Sequence, residues 1–260
     1  MSLSESTTPQ LSVNGPRATI RLNRPREHNR MDPTDLPVLM THFAAVERDP
    51  QVRVLVITGT GDKTFSSGYT LTALTDIDAT AVTFEAMLDR LEHLDLPTIA
   101  AMNGGVYGGA TDLALCCDFR LGVNGGKFLM PASRIALHYY PGGLRRYVER
   151  LGLTNAKRLF LLGETLDLAV LDRMGFFDAF VAPVELAATV DRWVSQLTAG
   201  HAGVMRSMKH HLNAIARGKI DEATILRDYQ SSLSSPDIRE GLSALAEKRP
   251  PSFAAQPDER

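Results

Sequence analysis

Two stretches of the chain carry glycines in a pattern that suits chemistry at a developing negative charge. They are Phe65–Tyr69 (Phe-Ser-Ser-Gly-Tyr) and Asn103–Gly109 (Asn-Gly-Gly-Val-Tyr-Gly-Gly), and each follows an apolar run that reads as a buried strand. In a strand–turn–helix unit such glycines let the backbone bend sharply and leave N–H groups free at the helix start. Two such donors aimed at one point form an oxyanion hole, worth roughly 10²–10³ in rate per donor at an enolate or tetrahedral oxyanion. Taken singly, each stretch also reads as a tight α/β connection. The pair, with the residues around it, points to a site.

Other chemistries fail on spacing. Gly59–Thr64 (Gly-Thr-Gly-Asp-Lys-Thr) is not a phosphate loop, because Asp62 interrupts the Gly-Lys-Ser/Thr that such a loop needs. Thr64 also stands where a dinucleotide fingerprint needs its third glycine. There is no Gly-x-Ser-x-Gly nucleophile elbow, although Ser66-Ser67-Gly68 is serine-rich. Cys116 and Cys117 adjoin, which rarely meets disulfide geometry, and they read as reduced core residues. No spaced His or Cys set offers a metal site, and His210 and His211 point to different faces of a helical pattern.

The elements that must position the glycine turns follow from apolar periodicity. Ala18–Leu22 alternates as a strand, and Asp32-Pro33 opens a helix through about Arg48, with Leu36, Leu39, Met40 and Phe43 on one face. Val52–Thr58 is nearly all apolar, as a sheet covered on both faces requires. Gly59–Gly68 reads as a loop, Ala81–Leu94 as a helix and Thr98–Met102 as a second buried strand. Asn103–Gly109 is a turn opening a helix that carries Asp112, and Phe119–Val123 is a third strand. Phe128–Met130 and the loop Pro131–Gly143 precede helical patterns at Leu144–Leu151, Asn155–Leu162 and Ala169–Met174. The last third is amphipathic helix: Glu185–Ala199, Gly203–Arg217, Asp221–Ser232 and Ser235–Lys248. No internal repeat is visible. A flexible leader over 1–10, an α/β core over 11–195 and a helical region over 196–260 are expected.

Composition agrees with such a fold. The 260 residues are 44% hydrophobic and 22% charged, ordinary for a soluble globular chain and within reach of one α/β domain. Lys+Arg 28 against Asp+Glu 30 leaves a formal charge of −2, with no basic excess to hold a nucleic acid. No apolar run approaches the roughly 18 residues of a membrane span, and Met1–Gln10 lacks a signal-peptide layout. A cytoplasmic protein without nucleic-acid or membrane partners is expected.

A set of stretches then narrows the reading. Asn23-Arg24-Pro25 with Asn29, Val54–Thr58, Phe65–Gly68 and Pro97–Gly104 come first in order. Gly108-Gly109 with Asp112, Cys117-Asp118, Pro141–Gly143 with Arg146, Gly163-Glu164, Met174–Phe176 and Arg239–Phe253 follow. In order and spacing they resemble the enoyl-CoA hydratase/isomerase (crotonase) superfamily over nearly the whole chain. The resemblance implies a crotonase-like α/β spiral of ββα units with a helical C-terminal trimerisation region, assembled as a homotrimer or hexamer. It implies an acyl-CoA substrate, with coenzyme A arriving as part of that substrate and no separate cofactor. It places the thioester carbonyl between the N–H groups of Tyr69 and Gly109. It places the CoA near Arg24, Arg26 and His28 and along Ser66, Ser67, Gly68 and Tyr69, with Lys248 reaching a neighbouring subunit's nucleotide. Fixed donors suit a thioester enolate, and cations suit the CoA phosphates.

The chain also departs from that pattern. Hydratases of this superfamily use two glutamates to hold and transfer water. The first position is Asp112, which keeps the carboxylate one methylene shorter; the second is Ala132, which can neither donate nor accept a proton. Polar groups return at His138, Tyr139 and Tyr140. Tyr140 aligns with a catalytic aspartate of some relatives, and Tyr139 with a tyrosine of decarboxylating ones. A phenol near an enolate can donate a hydrogen bond, and His138 can exchange a proton near neutral pH. Alternatively, the tyrosines pack the acyl pocket with His138 on its rim. The expected function is an acyl-CoA enzyme of hydratase/isomerase type that stabilises a thioester enolate. Asp112 is its acid/base or water-orienting carboxylate, with Tyr139, His138 or Tyr140 as auxiliary groups. The alternatives are an acyl-CoA decarboxylase, a CoA-independent diketone C–C hydrolase and a non-catalytic CoA-binding or structural subunit.

Overall fold

The computed structural model describes residues 7–75 and 82–253. The chain opens with an antiparallel pair, β1 (Gln10–Asn14) and β2 (Arg17–Leu22). Helix α1 (Asp35–Arg48) then crosses to β3 (Val54–Gly59), which pairs parallel to β2. From there a unit recurs. β3 is followed by β4 (Thr64–Ser66) and α2 (Phe84–Glu92), and β5 (Thr98–Met102) by β6 (Gly105–Tyr107) and α3 (Gly109–Cys116). β7 (Phe119–Val123) is followed by β8 (Lys127–Leu129) and α4 (Pro141–Lys157).

The short strands form a four-stranded sheet in the order β4-β6-β8-β9, in which β9 (Leu166–Asp167) runs antiparallel to β8 and leads into α5 (Leu168–Arg173). The long strands form a six-stranded sheet in the order β1-β2-β3-β5-β7-β10, with β10 (Ala179–Val181) at one edge. This is the expected ββα spiral. The sequence hides its repeat because only the geometry recurs: the short strands read Thr-Phe-Ser, Gly-Val-Tyr and Lys-Phe-Leu. Two of them lie inside Gly59–Gly68 and Asn103–Gly109, which were expected as loop and turn.

Alternation along the long strands divides two cores, as a sheet buried on both faces demands. Leu55, Ile57, Ala100 and Met102 pack with Phe43 of α1, Met87 of α2, Leu113 of α3 and Tyr147 of α4. Val54, Val56, Ile99 and Ala101 face Leu186, Val190 and Val194 of α6 (Leu186–Ala199). The expected boundary between 195 and 196 therefore falls inside a helix that packs on the sheet. Gly152, at φ 74° and ψ 161°, interrupts α4 where a break between Leu151 and Asn155 was expected.

Helices α7 (Ala202–Ala216), α8 (Glu222–Ser234) and α9 (Pro236–Glu247) complete the chain. Polar anchors tie α7 to the core, among them Lys209 Nζ on Asp118 at 2.8 Å. Met208, Tyr229, Leu242 and Leu245 stay exposed. Gln10, expected in the leader, starts β1. Residues 1–6 of that leader, Ala81 at the expected start of the second helix, and residues 254–260 lie outside the described residues.

Candidate active site

β4 and β6 are paired neighbours in the small sheet, so the turns that leave them lie side by side. The first turns at Gly68 (φ 92°) and the second at Gly108 (φ 51°, ψ −128°), conformations that a side chain disfavours. A Cβ on Gly68 would lie 2.6 Å from the Tyr107 carbonyl oxygen and 3.0 Å from the Gly109 nitrogen. The two turns thus meet through bare backbone. Buried Ser66 locks the first turn: its hydroxyl donates to the Asn29 carbonyl at 2.7 Å and accepts from the Gly68 N–H at 3.1 Å. Met31 brackets it, donating to the Gly68 carbonyl at 2.8 Å and accepting from Thr70 N–H at 3.0 Å. Between them, the Tyr69 N–H has no backbone acceptor among the described residues. Gly109 is the first residue of α3, so its N–H has no intrahelical acceptor and sits at the positive end of the helix dipole.

The side-chain half begins one turn further along α3. Asp112 is fully buried and gripped by Arg146 of α4, with Nε on Oδ1 at 2.8 Å and Nη2 on Oδ2 at 2.9 Å. The Tyr140 hydroxyl donates to the same Oδ2 at 2.5 Å. Arg146, itself fully buried, also donates from Nη1 to Asp89 at 2.8 Å and to Glu92 at 3.1 Å. Arg145 and Arg217 reach Glu92 as well. Burial pushes the Glu92 carboxyl up, but the Arg145 hydrogen bond and the charges of Arg146, Arg145 and Arg217 outweigh it and hold it down at about 2. Burial lowers Arg146, yet its bond to Asp112 and the surrounding negative charge raise it further, so it stays charged. Asp112 therefore lies beneath the site, and Tyr140 is the group that extends from it.

Burial, then the Tyr139 phenol and the Asp112 charge, push the Tyr140 phenol well above its usual range, so it stays protonated. With its one hydrogen on Asp112, its oxygen offers lone pairs to anything else nearby. The Tyr139 ring stacks on Tyr140 at 4.4 Å, with their hydroxyls 3.3 Å apart, and packs against Tyr147 and Phe160. Tyr139, expected either as an auxiliary group or as packing for the acyl pocket, is buried in this aromatic cluster. His138 is exposed, with Nδ1 2.9 Å from the Tyr139 carbonyl. Ala132 is buried after Pro131, whose Cδ lies 3.9 Å from where a Cβ on Gly108 would stand.

The expected CoA residues divide in two. Arg24 is buried, with its guanidinium bound to Asp35 and 3.4 Å from Asp32, and Ser66 is spent on the turn. Both shape the loop from within. Arg26, His28 and Lys248 are exposed; His28 shares Nδ1 with the Thr64 hydroxyl at 2.9 Å, and the Ser67 hydroxyl donates to the Glu27 carbonyl at 3.1 Å. Among the described residues, no group of three or more His, Cys, Asp or Glu could hold a metal ion. Among them, too, no helix is long and apolar enough to cross a membrane.

Residues 14–256 match the family model described as enoyl-CoA hydratase/isomerase. The chain belongs to that family. Crotonyl-CoA hydratase of Syntrophomonas wolfei is 29% identical over 92% of this chain and 95% of its own. Carnitinyl-CoA dehydratase of Salmonella typhi is 30% identical over 93% and 96%. A solved enoyl-CoA hydratase/carnithine racemase from Magnetospirillum magneticum superposes with a TM-score of 0.86 at 27% identity, covering 97% of each chain. An enoyl-CoA hydratase/isomerase family member superposes at 0.89 over 97% of this chain and 98% of its own; at 22% identity that likeness is of fold.

Within this enoyl-CoA hydratase/isomerase chain, sequence reasoning missed the arginine cluster that seats Asp112. One signal pointed to it. Asp89 and Glu92, three apart on α2, share a helix face, and an acidic pair with one member buried, as Glu92 is, needs cations opposite.

Proposed function

We propose that this chain takes an acyl-CoA thioester and adds water to, or removes it from, the carbon–carbon bond beside the carbonyl. The observation that supports this reading is the meeting of the two glycine turns: a Cβ on Gly68 would lie 3.0 Å from the Gly109 nitrogen, and the next residue, Tyr69, has an N–H without a backbone acceptor among the described residues. In the addition direction, water oxygen bonds the β-carbon and the π pair moves to the thioester oxygen, where the two donors hold the enolate. Tyr140 is the proton carrier. It accepts a proton from the water as its own passes to Asp112 Oδ2, and it returns a proton to the α-carbon as Asp112 gives one back. Arg146 stays charged throughout and keeps Asp112 aimed at the phenol. The names of the hydratase and dehydratase relatives support water chemistry.

Arg26 and His28 suit the CoA phosphates, and Lys248 of a neighbouring copy in a trimer adds a further cation. The scheme needs no cofactor beyond the coenzyme A of the substrate. Buried Ala132 favours a second reading, loss of CO₂ from a malonyl-type thioester, because that reaction forms the same enolate without a second carboxylate. Loss of enoyl absorbance from crotonyl-CoA tests the first reading and CO₂ release from malonyl-type CoA esters the second. Failure to bind any CoA ester overturns both.

A further inference from the structure

Periodicity and motif spacing give Phe84 no role, yet its ring lies at the site. Phe84 is the first residue of α2. A Cβ on Gly109 would meet its Cε1 at 2.7 Å and its Cζ at 2.8 Å, so the glycine that supplies an N–H donor also makes room for this ring. The ring stacks on Tyr69 with centroids 4.9 Å apart and meets Tyr140 edge-on at 6.5 Å. Tyr140 in turn stacks on Tyr139. Tyr69, Phe84, Tyr140 and Tyr139 form one aromatic wall from the residue bearing the first donor to the hydroxyl on Asp112.

An acyl group whose carbonyl sits on the two N–H groups, and whose next carbons reach Tyr140, must run along this wall. Phe84 stands at its middle. It is 9% exposed and belongs to the main core, so packing on α2 holds the ring in place. We propose that Phe84 is a specificity-determining residue that closes the acyl side of the site to long chains and selects short acyl thioesters. The proposal rests on the acyl-CoA reading above. It draws on the size of the ring and its position against Gly109, Tyr69 and Tyr140.

The test compares the affinities of butyryl-CoA and decanoyl-CoA, which cannot be hydrated, for wild type and Phe84→Ala by calorimetry. Each methylene that a pocket newly accepts is worth about tenfold or more, so the affinity for decanoyl-CoA relative to butyryl-CoA rises at least about tenfold in Phe84→Ala. Phe84→Leu, which keeps more of the packing, is measured alongside and shows a smaller rise in the same direction. Butyryl- and decanoyl-CoA binding with a ratio unmoved within about twofold in both variants overturns the specificity role and leaves the acyl-CoA reading standing. No binding of either ester to wild type overturns that reading, and the role of Phe84 with it.

Discussion

The backbone half and the side-chain half of the site are held in place by different forces. On one side, Gly68 and Gly108 turn the chain through conformations that glycine tolerates, and neighbouring strands β4 and β6 carry the two N–H groups together. The buried Arg24–Asp35 pair braces this half from the side, but the turns themselves are set by backbone conformation. On the other, Asp112, Glu92 and Arg146 are buried ions that stay put because they neutralise one another, and Tyr140 extends the cluster toward the site. Stereochemistry at Gly68 and Gly108 leaves little conformational room for any side chain. An ion cluster tolerates exchange of its outer members as long as the charges close. That difference lets the two glycine turns keep their close approach beside a side-chain half with Asp112 and Ala132 at the two positions where the resemblance leads one to expect carboxylates.

The largest effect expected on the side-chain half comes from Tyr140→Phe. It keeps the ring against Phe84 and removes the one hydroxyl that reaches from Asp112. A positioned proton carrier contributes roughly 10²–10⁴-fold, so turnover falls by that factor while the affinity for CoA esters holds. Turnover within about tenfold of wild type would return the proton to another group, with exposed His138 next in line.

Acid tests the same half from beneath. The Glu92 carboxyl is held at about 2 against an ordinary 4.5. A folded-state value depressed in this way means stability present above about pH 4.5 and lost as pH falls through about 2. The shift corresponds to about 3 kcal/mol. Urea midpoints of wild type and Glu92→Gln, followed downward in pH, converge across that window. Midpoints that keep a constant separation would show that the arginines do not act on Glu92 through its charge.

These two halves were also unequally legible. Glycine turns announce themselves because positive φ is a local demand, and long apolar strands do so because burial on both faces leaves no polar alternation. Thr98–Met102 and Phe119–Val123 carry the bounds read from sequence. The ion cluster joins residues with no local relation: Arg146 lies 34 residues from Asp112 and 54 from Glu92. Arg24 shows the same limit: the resemblance places CoA near it, and no local signal announces its buried pairing with Asp35 on the next helix. Strands of three residues such as β4 and β6 are too short for any periodicity to register.

The backbone half is tested by comparing Gly109→Pro with Gly109→Ala. Either new Cβ presses on the Phe84 ring, so the disturbance of packing is shared. Proline suits the first position of a helix and replaces the N–H with its ring Cδ, whereas alanine keeps the donor. Proline should therefore turn over substrate at least ~10²-fold more slowly than alanine, the value of one oxyanion donor. Equal rates in two folded variants would take Gly109 out of the hole.

Ala132→Glu asks whether the two halves can be recoupled, and its effect is the smallest expected. Position 132 is buried and opens a short turn directly after Pro131, whose ring neighbours Gly108 at the start of α3. A carboxylate there arrives without an arginine to seat it, because Arg146 is already committed to Asp112, Asp89 and Glu92. Hydration of crotonyl-CoA should rise by about tenfold over wild type rather than by the full 10²–10⁴ of a positioned base. If the native reaction is loss of CO₂, the new charge leaves hydration negligible and depresses CO₂ release instead. Wild type already hydrating crotonyl-CoA at roughly 10²–10³ s⁻¹ would show that Tyr140 on its arginine-held aspartate suffices alone, and that the buried alanine costs the reaction nothing.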